Sequence, residues 1–384
     1  MAYGYFHFTI ARGAEAGARY NGPMRRILVA LLLLLGLMFV VAHQGELQRF
    51  LAVVRSGDWR FVALAFAFQT VWFAHVAFTF DFLYRALGLR EHRLRLLLMA
   101  LSMNFVNMVA PTAGVSGMAV FASEAREQGQ STAKAMVATT LYIFFEHLGF
   151  LAVLFVGLWV LLRRGRLTWV EISASAIMVA IVVGLGSMLY LGAHAGKPLA
   201  AFLAWAARRI NGLLWPFLRR PWLSEARAHQ FGHDLSVGLR ALRTNPRFVG
   251  LLALMGIGSK LWLMLVLYAV FRAFHVPLSP GTWIVAFTVA YLFLVVSPAP
   301  GGVGFVESAL TVTLTSFYLP VEDAVVVALV YRGITFWIPL LLGFFALRAL
   351  PWSRALNGPP RPSGASKQPP RSSAGSPTPG GDAP

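Results

Sequence analysis

The chain has 384 residues, 58% of them hydrophobic and 12% charged, with a mean hydropathy of +0.66; a soluble globular domain carries about 25% charged residues, so this is the composition of an integral membrane protein. It contains no cysteine, which excludes disulfide staples, thiolate nucleophiles, Cys-based zinc sites and iron-sulfur clusters. The formal charge of +18, from 33 Lys and Arg against 15 acids, would point a soluble protein toward nucleic acid. Here the basic residues flank apolar runs without an aromatic-basic platform, so they read as positive-inside topology and contact with anionic headgroups, and no nucleic-acid partner is expected.

Residues 1–24 carry no convincing pattern and are expected to be flexible. Apolar runs follow near 27–42, 61–80, 96–113, 135–162, 172–194, 249–271, 282–297 and 324–347. A spanning helix needs about 20 residues. The predicted fold is an all-α integral membrane protein of about eight long transmembrane helices plus two broken or re-entrant segments, in two related halves. The first run follows Arg25 and Arg26 and reads as a retained helix, because Gln44-Gly45-Glu46 lacks a small-residue cleavage motif. Residues 25–196 form the first membrane half and 248–350 the second. Between them, 197–247 is a basic stretch in which Arg208, Arg209, Arg219 and Arg220 alternate with Trp205, Trp215 and Trp222, as expected of a cytoplasmic interfacial loop. Residues 351–384 are rich in Pro, Gly and Ser and read as a disordered tail.

The broken segments are 111–134 and 298–320. The second opens Ser297-Pro298-Ala299-Pro300-Gly301-Gly302-Val303-Gly304-Phe305-Val306-Glu307, with helix breakers and a carboxylate where lipid-facing residues are expected. Such backbone survives at membrane depth only where protein or water satisfies it, and an acid there needs a partner. Pro298 and Pro300 stop a helix, and Phe305 can restart one whose first turn has unpaired N–H groups suited to a phosphate. An offset of 187 lays Pro111 on Pro298, Gly114 on Gly301 and Gly117 on Gly304, and carries the flanking runs onto each other as well. An internal duplication is therefore expected. The first copy has no acid at the matching place but offers Asn104, Asn107, Thr112 and Ser116, with Pro111 and Gly114 at its turn. Glu124, Arg126, Glu127 and Lys134 read as an interfacial stretch.

Basic residues number four up to Arg26, four over 85–95, nine over 197–247 and five from Arg348, together 22 of the 33. All four regions, and hence both termini, are expected on the cytoplasmic side. This holds if each broken segment carries the chain across once, giving halves of opposite orientation with Arg163, Arg164 and Arg166 outside. Re-entrant hairpins would leave one basic region on the wrong face.

Inside the long runs the ionisable residues are few: His75, Glu146, His147, Lys260 and Arg332. The offset brings Glu146 to within one position of Arg332, so a buried pair of opposite charge, or a bipartite headgroup site, is expected there; a purely structural pair remains the alternative. His75 reads as a hydrogen-bonded bundle residue, and Lys260 lies too deep to snorkel and should face a cavity or an acid. Gly256-Ile257-Gly258-Ser259-Lys260 lacks the Gly-Lys-Ser/Thr order of a phosphate loop. No GxSxG elbow or HExxH pair is present, and no metal or cofactor is expected.

Pro300-Gly301-Gly302-Val303-Gly304 followed by Glu307, with Arg332 in Val330-Tyr331-Arg332-Gly333, resembles the second-half motif of the lysylphosphatidylglycerol synthase transmembrane family. These are flippase-like membrane proteins. The resemblance covers most of residues 25–350, with Pro111 to Gly149 as the first-half counterpart. The best-known members join this membrane domain to a cytosolic aminoacyl transferase domain, for which the tail here has no room, so the resemblance implies translocation and not synthesis. Many members carry an Arg where this chain has His147 beside Glu146, so the first-half site is expected to bind differently. The expected function is movement of a phospholipid or lipid-linked headgroup across a bacterial or archaeal cytoplasmic membrane. The substrate-binding set comprises Pro300, Gly301, Gly302, Gly304, Glu307, Arg332, Glu146, His147, Lys260, Asn107, Pro111 and Gly114. The partners are membrane lipids, either anionic or aminoacylated phospholipids or polyprenyl-linked lipids. A membrane transferase using Glu307 as base, and a non-enzymatic companion of a lipid or glycan synthase, are the alternative functions; homo-oligomerisation is left open.

Overall fold

The computed structural model describes residues 44–109, 115–194 and 246–350, with scattered positions between 33 and 41 and between 201 and 239. The expected flexible N-terminus, most of the first apolar run and of the basic loop, the tail, and Pro111, Thr112 and Gly114 lie outside the described residues. Among the described residues the chain is all-helical. The helices are α1 Gln44–Val54, α2 Trp59–Ala86, α3 Arg93–Val109, α4 Val115–Glu127, α5 Thr132–Arg163, α6 Trp169–His194, α7 Pro246–Ala273 and α8 Pro280–Val296. A 3-10 turn at Pro300–Gly302 precedes α9 Phe305–Ser316, then α10 Val321–Arg332, a π turn at Gly333–Trp337 and α11 Ile338–Ala349.

Five stretches among the described residues are long and apolar enough to cross a bilayer: Trp59–Ala86, Thr132–Arg163, Trp169–His194, Arg247–Ala273 and Val321–Ala349. Their outer faces carry large apolar side chains, such as Phe155 (72% exposed), Leu254 (63%) and Phe345 (63%), as expected where lipid replaces water. The eight long spans of the sequence reading are not reached among these residues. The runs 96–113 and 282–297 fold as α3 and α8, of 17 residues each, about 25 Å at 1.5 Å per residue. Each then doubles back at its broken segment.

The first hairpin pairs α3 with α4. Its open ends meet where Gln130 Nε2 donates to Arg90 O at 2.8 Å, and at its tip Asn107 Oδ1 accepts from Gly117 N at 2.9 Å. The second pairs α8 with α9. Ser279, before α8, accepts a 3.3 Å hydrogen bond from Arg164 Nη2, and Phe317, after α9, has its ring centroid 5.0 Å from the same guanidinium. Gln130 lies just before α5 and Arg164 just after it, so the hairpins enter from opposite ends of this 32-residue helix. The broken segments are return arms of hairpins whose outgoing arms are 96–113 and 282–297. That corrects the parity expected from sequence, in which those runs are full spans: with hairpins, the stretch 85–95, the end of α6, the start of α7 and the end of α11 fall at one end of the bundle.

The duplication is visible in element lengths and in contacts. Both α2 and α7 have 28 residues, and their starts, 59 and 246, differ by the same 187 that separates the starts of α3 and α8, 93 and 280. Trp72 Nε1 donates to Ser259 Oγ at 3.0 Å, and these residues are also 187 apart. Two equivalent positions can touch only where a pseudo-two-fold axis passes between them. The neighbouring contacts come in exchanged pairs: His75 Nε2 bonds Met255 O at 2.9 Å, and their mates Trp262 and Phe68 pack as tilted rings with centroids 6.2 Å apart. The antiparallel α2–α7 pair is thus the spine of an inverted repeat.

Candidate functional site

Three long helices carry their ionisable residues near their midpoints, which places those residues at the depth where charge is most expensive. Lys260 is central in α7, Glu146 in α5, and Arg332 in the rod formed by α10, the π turn and α11. The structure sorts them into two clusters.

The first cluster is built at the tip of the second hairpin. Ser297 Oγ accepts from Ala299 N at 3.1 Å, and Gly301, Gly302 and Gly304 adopt φ of 59°, 72° and 78°, the left-handed region in which a side chain is strained. A Cβ on Gly301 would overlap the ring of Phe336. This tight turn aims the Gly301 carbonyl at Arg332, whose Nη2 donates to it at 2.6 Å. Arg332 Nε donates to Glu307 Oε1 at 2.8 Å, and the guanidinium carbon lies 4.6 Å from the Phe336 centroid. Arg332 is 4% exposed and the Glu307 side chain 26%. Glu307 Oε2 has no hydrogen-bond partner among the described residues. The N-terminus of α9 has no side-chain cap, so Glu307 does not cap its own helix; it reaches across to α10. Arg332 itself is the residue before the π turn, a distortion that recurs at functional sites because it redirects side chains and frees backbone acceptors. Gly333 is required there, since a Cβ would overlap Phe50 of α1.

The second cluster joins the two halves. Gly149 of α5 and Gly256 of α7 are in backbone contact, with no room for a Cβ on either, the close approach that small residues allow between membrane helices. This crossing brings Glu146, one turn before Gly149, within reach of Lys260, one turn after Gly256. Lys260 Nζ, fully buried, donates to Glu146 Oε2 and, at 2.7 Å, to Tyr291 Oη of α8. It also lies 4.3 Å from the Tyr291 ring centroid.

These pairings differ from the sequence expectation. Glu146 and Arg332 do not face each other: residues equivalent under the two-fold lie on opposite sides of the axis and meet only next to it, as Trp72 and Ser259 do. Each charge instead finds a partner on a neighbouring helix. His147 Nδ1 bonds Ile143 O of its own helix at 2.7 Å, and Asn107 is occupied in holding the start of α4, also bonding Ser116 Oγ at 3.1 Å. His75 is the bundle hydrogen-bonder expected. Glu124 is 1% exposed, so it is not solvated with its neighbours; the first hairpin folds it against α3, 3.9 Å from Arg95. Tyr291 was not nominated from sequence, although the offset sets it opposite Asn104, which was.

In comparison with known proteins, residues 27–343 match the family described as "Lysylphosphatidylglycerol synthase TM region". The chain is also 31% identical over 141 residues to a "UPF0104 membrane protein" of Methanothermobacter thermautotrophicus, a match covering 35% of this chain and 42% of that protein. It thus spans less than half the length of the curated relative it matches.

Proposed function

The chain belongs to the lysylphosphatidylglycerol synthase transmembrane family, and from that premise we propose that it moves the headgroup of a phospholipid or lipid-linked carrier across the membrane. The supporting observation is the pairing of two charged clusters at mid-membrane depth with two hairpins that approach that depth from opposite faces. A charge at the bilayer centre costs about 3 kcal/mol on insertion scales and over 10 in simulations. A headgroup crossing unaided meets that barrier twice, once for its phosphate and again for any amine. Arg332 and Lys260 would take the phosphate, with the uncapped first turn of α9 adding N–H donors, while Glu307 and Glu146 would take an ammonium, as on a zwitterionic or aminoacylated lipid. Glu307 is the first contact in this reading, because its side chain is the least buried of the four and its Oε2 has no hydrogen-bond partner among the described residues. The lipid emerges chemically unchanged.

In proteoliposomes carrying a headgroup-labelled lipid, Glu307→Gln and Arg332→Ala should each abolish transfer between leaflets while the protein remains folded by circular dichroism. Transfer at the wild-type rate in both variants refutes the proposal. Recovery of a covalently altered lipid would favour transferase chemistry instead.

A further inference from the structure

The mouth of the first hairpin contains a pocket that the midplane reading does not use. It has a volume of about 320 Å³ and is lined by Asp81, Tyr84, Arg85, Leu89, Arg90 and Glu91, within the size range of small-ligand sites. Its shape comes from the way α2 ends. Leu89 N bonds Tyr84 O at 2.8 Å and Gly88 N bonds Arg85 O at 3.1 Å, with Gly88 at φ 70°. This is the Schellman arrangement, which folds the chain sharply back over the last helical turn. Arg90 is thereby carried back toward Tyr84, and its carbonyl is fixed by Gln130 from the far side of the mouth.

The hydrogen-bonding inventory of the pocket is unbalanced. Each oxygen of Asp81 is engaged, accepting from Arg85 Nε at 2.9 Å and from Arg93 Nε at 3.0 Å, and Glu91 is paired with Arg95 at 3.1 Å. Both acids are neutralised. Donors remain: the terminal nitrogens of Arg85, the whole guanidinium of Arg90, and Tyr84 Oη, which is buried at 2% exposure without a partner among the described residues. A buried hydroxyl is costly to leave unmatched, so the pocket that it shares with Arg85 and Arg90 suits an acceptor. Glu124, whose Oε2 is also unpartnered, does not line the pocket. A phosphate, acceptor-only and with several oxygens to share between a hydroxyl and two arginines, matches this inventory.

The second mouth does not repeat this chemistry. At the offset of 187, Tyr84 becomes Phe271, Asp81 becomes Tyr268, Arg90 becomes Pro277 and Glu91 becomes Leu278. Arg272 replaces Arg85, but its guanidinium lies over the Phe61 ring, 5.4 Å from the centroid. We infer that the α2–α3 mouth binds a phosphate group from one face of the membrane only, presented either by a phospholipid headgroup or as a free phosphate.

Binding can be measured independently of transport on the full chain in detergent, by titrating inorganic phosphate, short-chain phosphatidylglycerol and, as the phosphate-free control, short-chain diacylglycerol. Tyr84→Phe removes only the hydroxyl and Arg90→Gln only an exposed charge, so both should fold. The double variant should bind the phosphate-bearing probe at least tenfold more weakly, with diacylglycerol binding unchanged and Arg60→Gln, at the other end of α2, behaving as wild type. Saturation by phosphatidylglycerol where inorganic phosphate fails identifies a lipid source, and equal competition by inorganic phosphate identifies a free one. Unaltered affinity in the double variant, or diacylglycerol binding as tightly as phosphatidylglycerol, overturns the inference. Glu307→Gln should lose transport yet keep this binding, so the two proposals fail separately.

Discussion

Lys260 is the residue whose removal separates a structural ion pair from a working one. In Lys260→Met the side-chain volume is nearly kept, but the carboxylate of Glu146, 9% exposed, loses its counter-ion and Tyr291 Oη loses its partner. Breaking a buried pair from one side costs about 3–5 kcal/mol, because the remaining charge stays desolvated. At roughly 2 °C per kcal/mol for a chain of this size, the thermal midpoint should fall by about 6–10 °C. Adding Glu146→Gln removes the second charge, and the stability should return to within about 2 kcal/mol of wild type, since replacing both members of such a pair is often neutral or stabilising.

The assay is thermal unfolding of purified protein in one detergent, followed by tryptophan fluorescence, on wild type, both single variants and the double. A Lys260→Met midpoint within about 2 °C of wild type, or a double variant no more stable than Lys260→Met, refutes the claim that the two charges are mutually compensating. Transport by the same double variant then addresses function. A folded double variant that is inactive supports a headgroup role for the cluster. Wild-type transport would reduce it to a latch between α5 and α7, leaving Glu307 and Arg332 to be judged on their own variants.

Sidedness can be tested directly, because the chain has no native cysteine. Arg126→Cys at the first mouth and Val321→Cys at the second, both at exposed positions, should react with a membrane-impermeant maleimide from opposite faces; labelling from the same face contradicts the opposed hairpins. Gly301→Ala places a Cβ against Phe336 at a left-handed φ, which should cost at least about 1–3 kcal/mol in strain. Its transport should drop with that of Arg332→Ala, and a fully active Gly301→Ala would mean the tip relaxes without disturbing Arg332.

Much of this architecture was legible because it rests on local chemistry. Proline and glycine announce the turn at 298–304, and apolar length announces α2, α5, α6 and α7. The duplication was legible from a handful of matched glycines and prolines. What failed was pairing in space. Glu146 and Arg332 occupy nearly equivalent positions, but equivalence in sequence is not proximity in space. A two-fold axis makes those different properties, and the 72–259 pair, beside the axis, has both. The hairpins were misjudged for a related reason: a 17-residue apolar helix has the composition of a span, and whether it crosses is decided by what packs beside it. The contact of Gln130 with Arg90 is long-range and leaves no mark in hydropathy.

The inverted repeat makes the two routes to the midplane equivalent in backbone, and the side chains then make them unequal. At the tip of the second hairpin the chain sets Glu307 against Arg332; at the corresponding turn of the first, Asn107 only ties down a helix start. At the mouths the order is reversed, with the pocket of Tyr84, Arg85 and Arg90 on the first hairpin and exposed arginines laid over aromatic rings, Arg164 on Phe317 and Arg166 on Tyr318, on the second. On the transport proposal, a scaffold with identical sites at each face would have equal affinity for a headgroup on both sides. Here the side chains differ between the faces, so under the same proposal occupancy would differ between leaflets, and net transport against a gradient would need a coupled free-energy source. The Tyr84 Oη donor of one mouth and Glu307 Oε2 at the other hairpin's tip, each without a partner among the described residues, are where that difference in affinity should be measured.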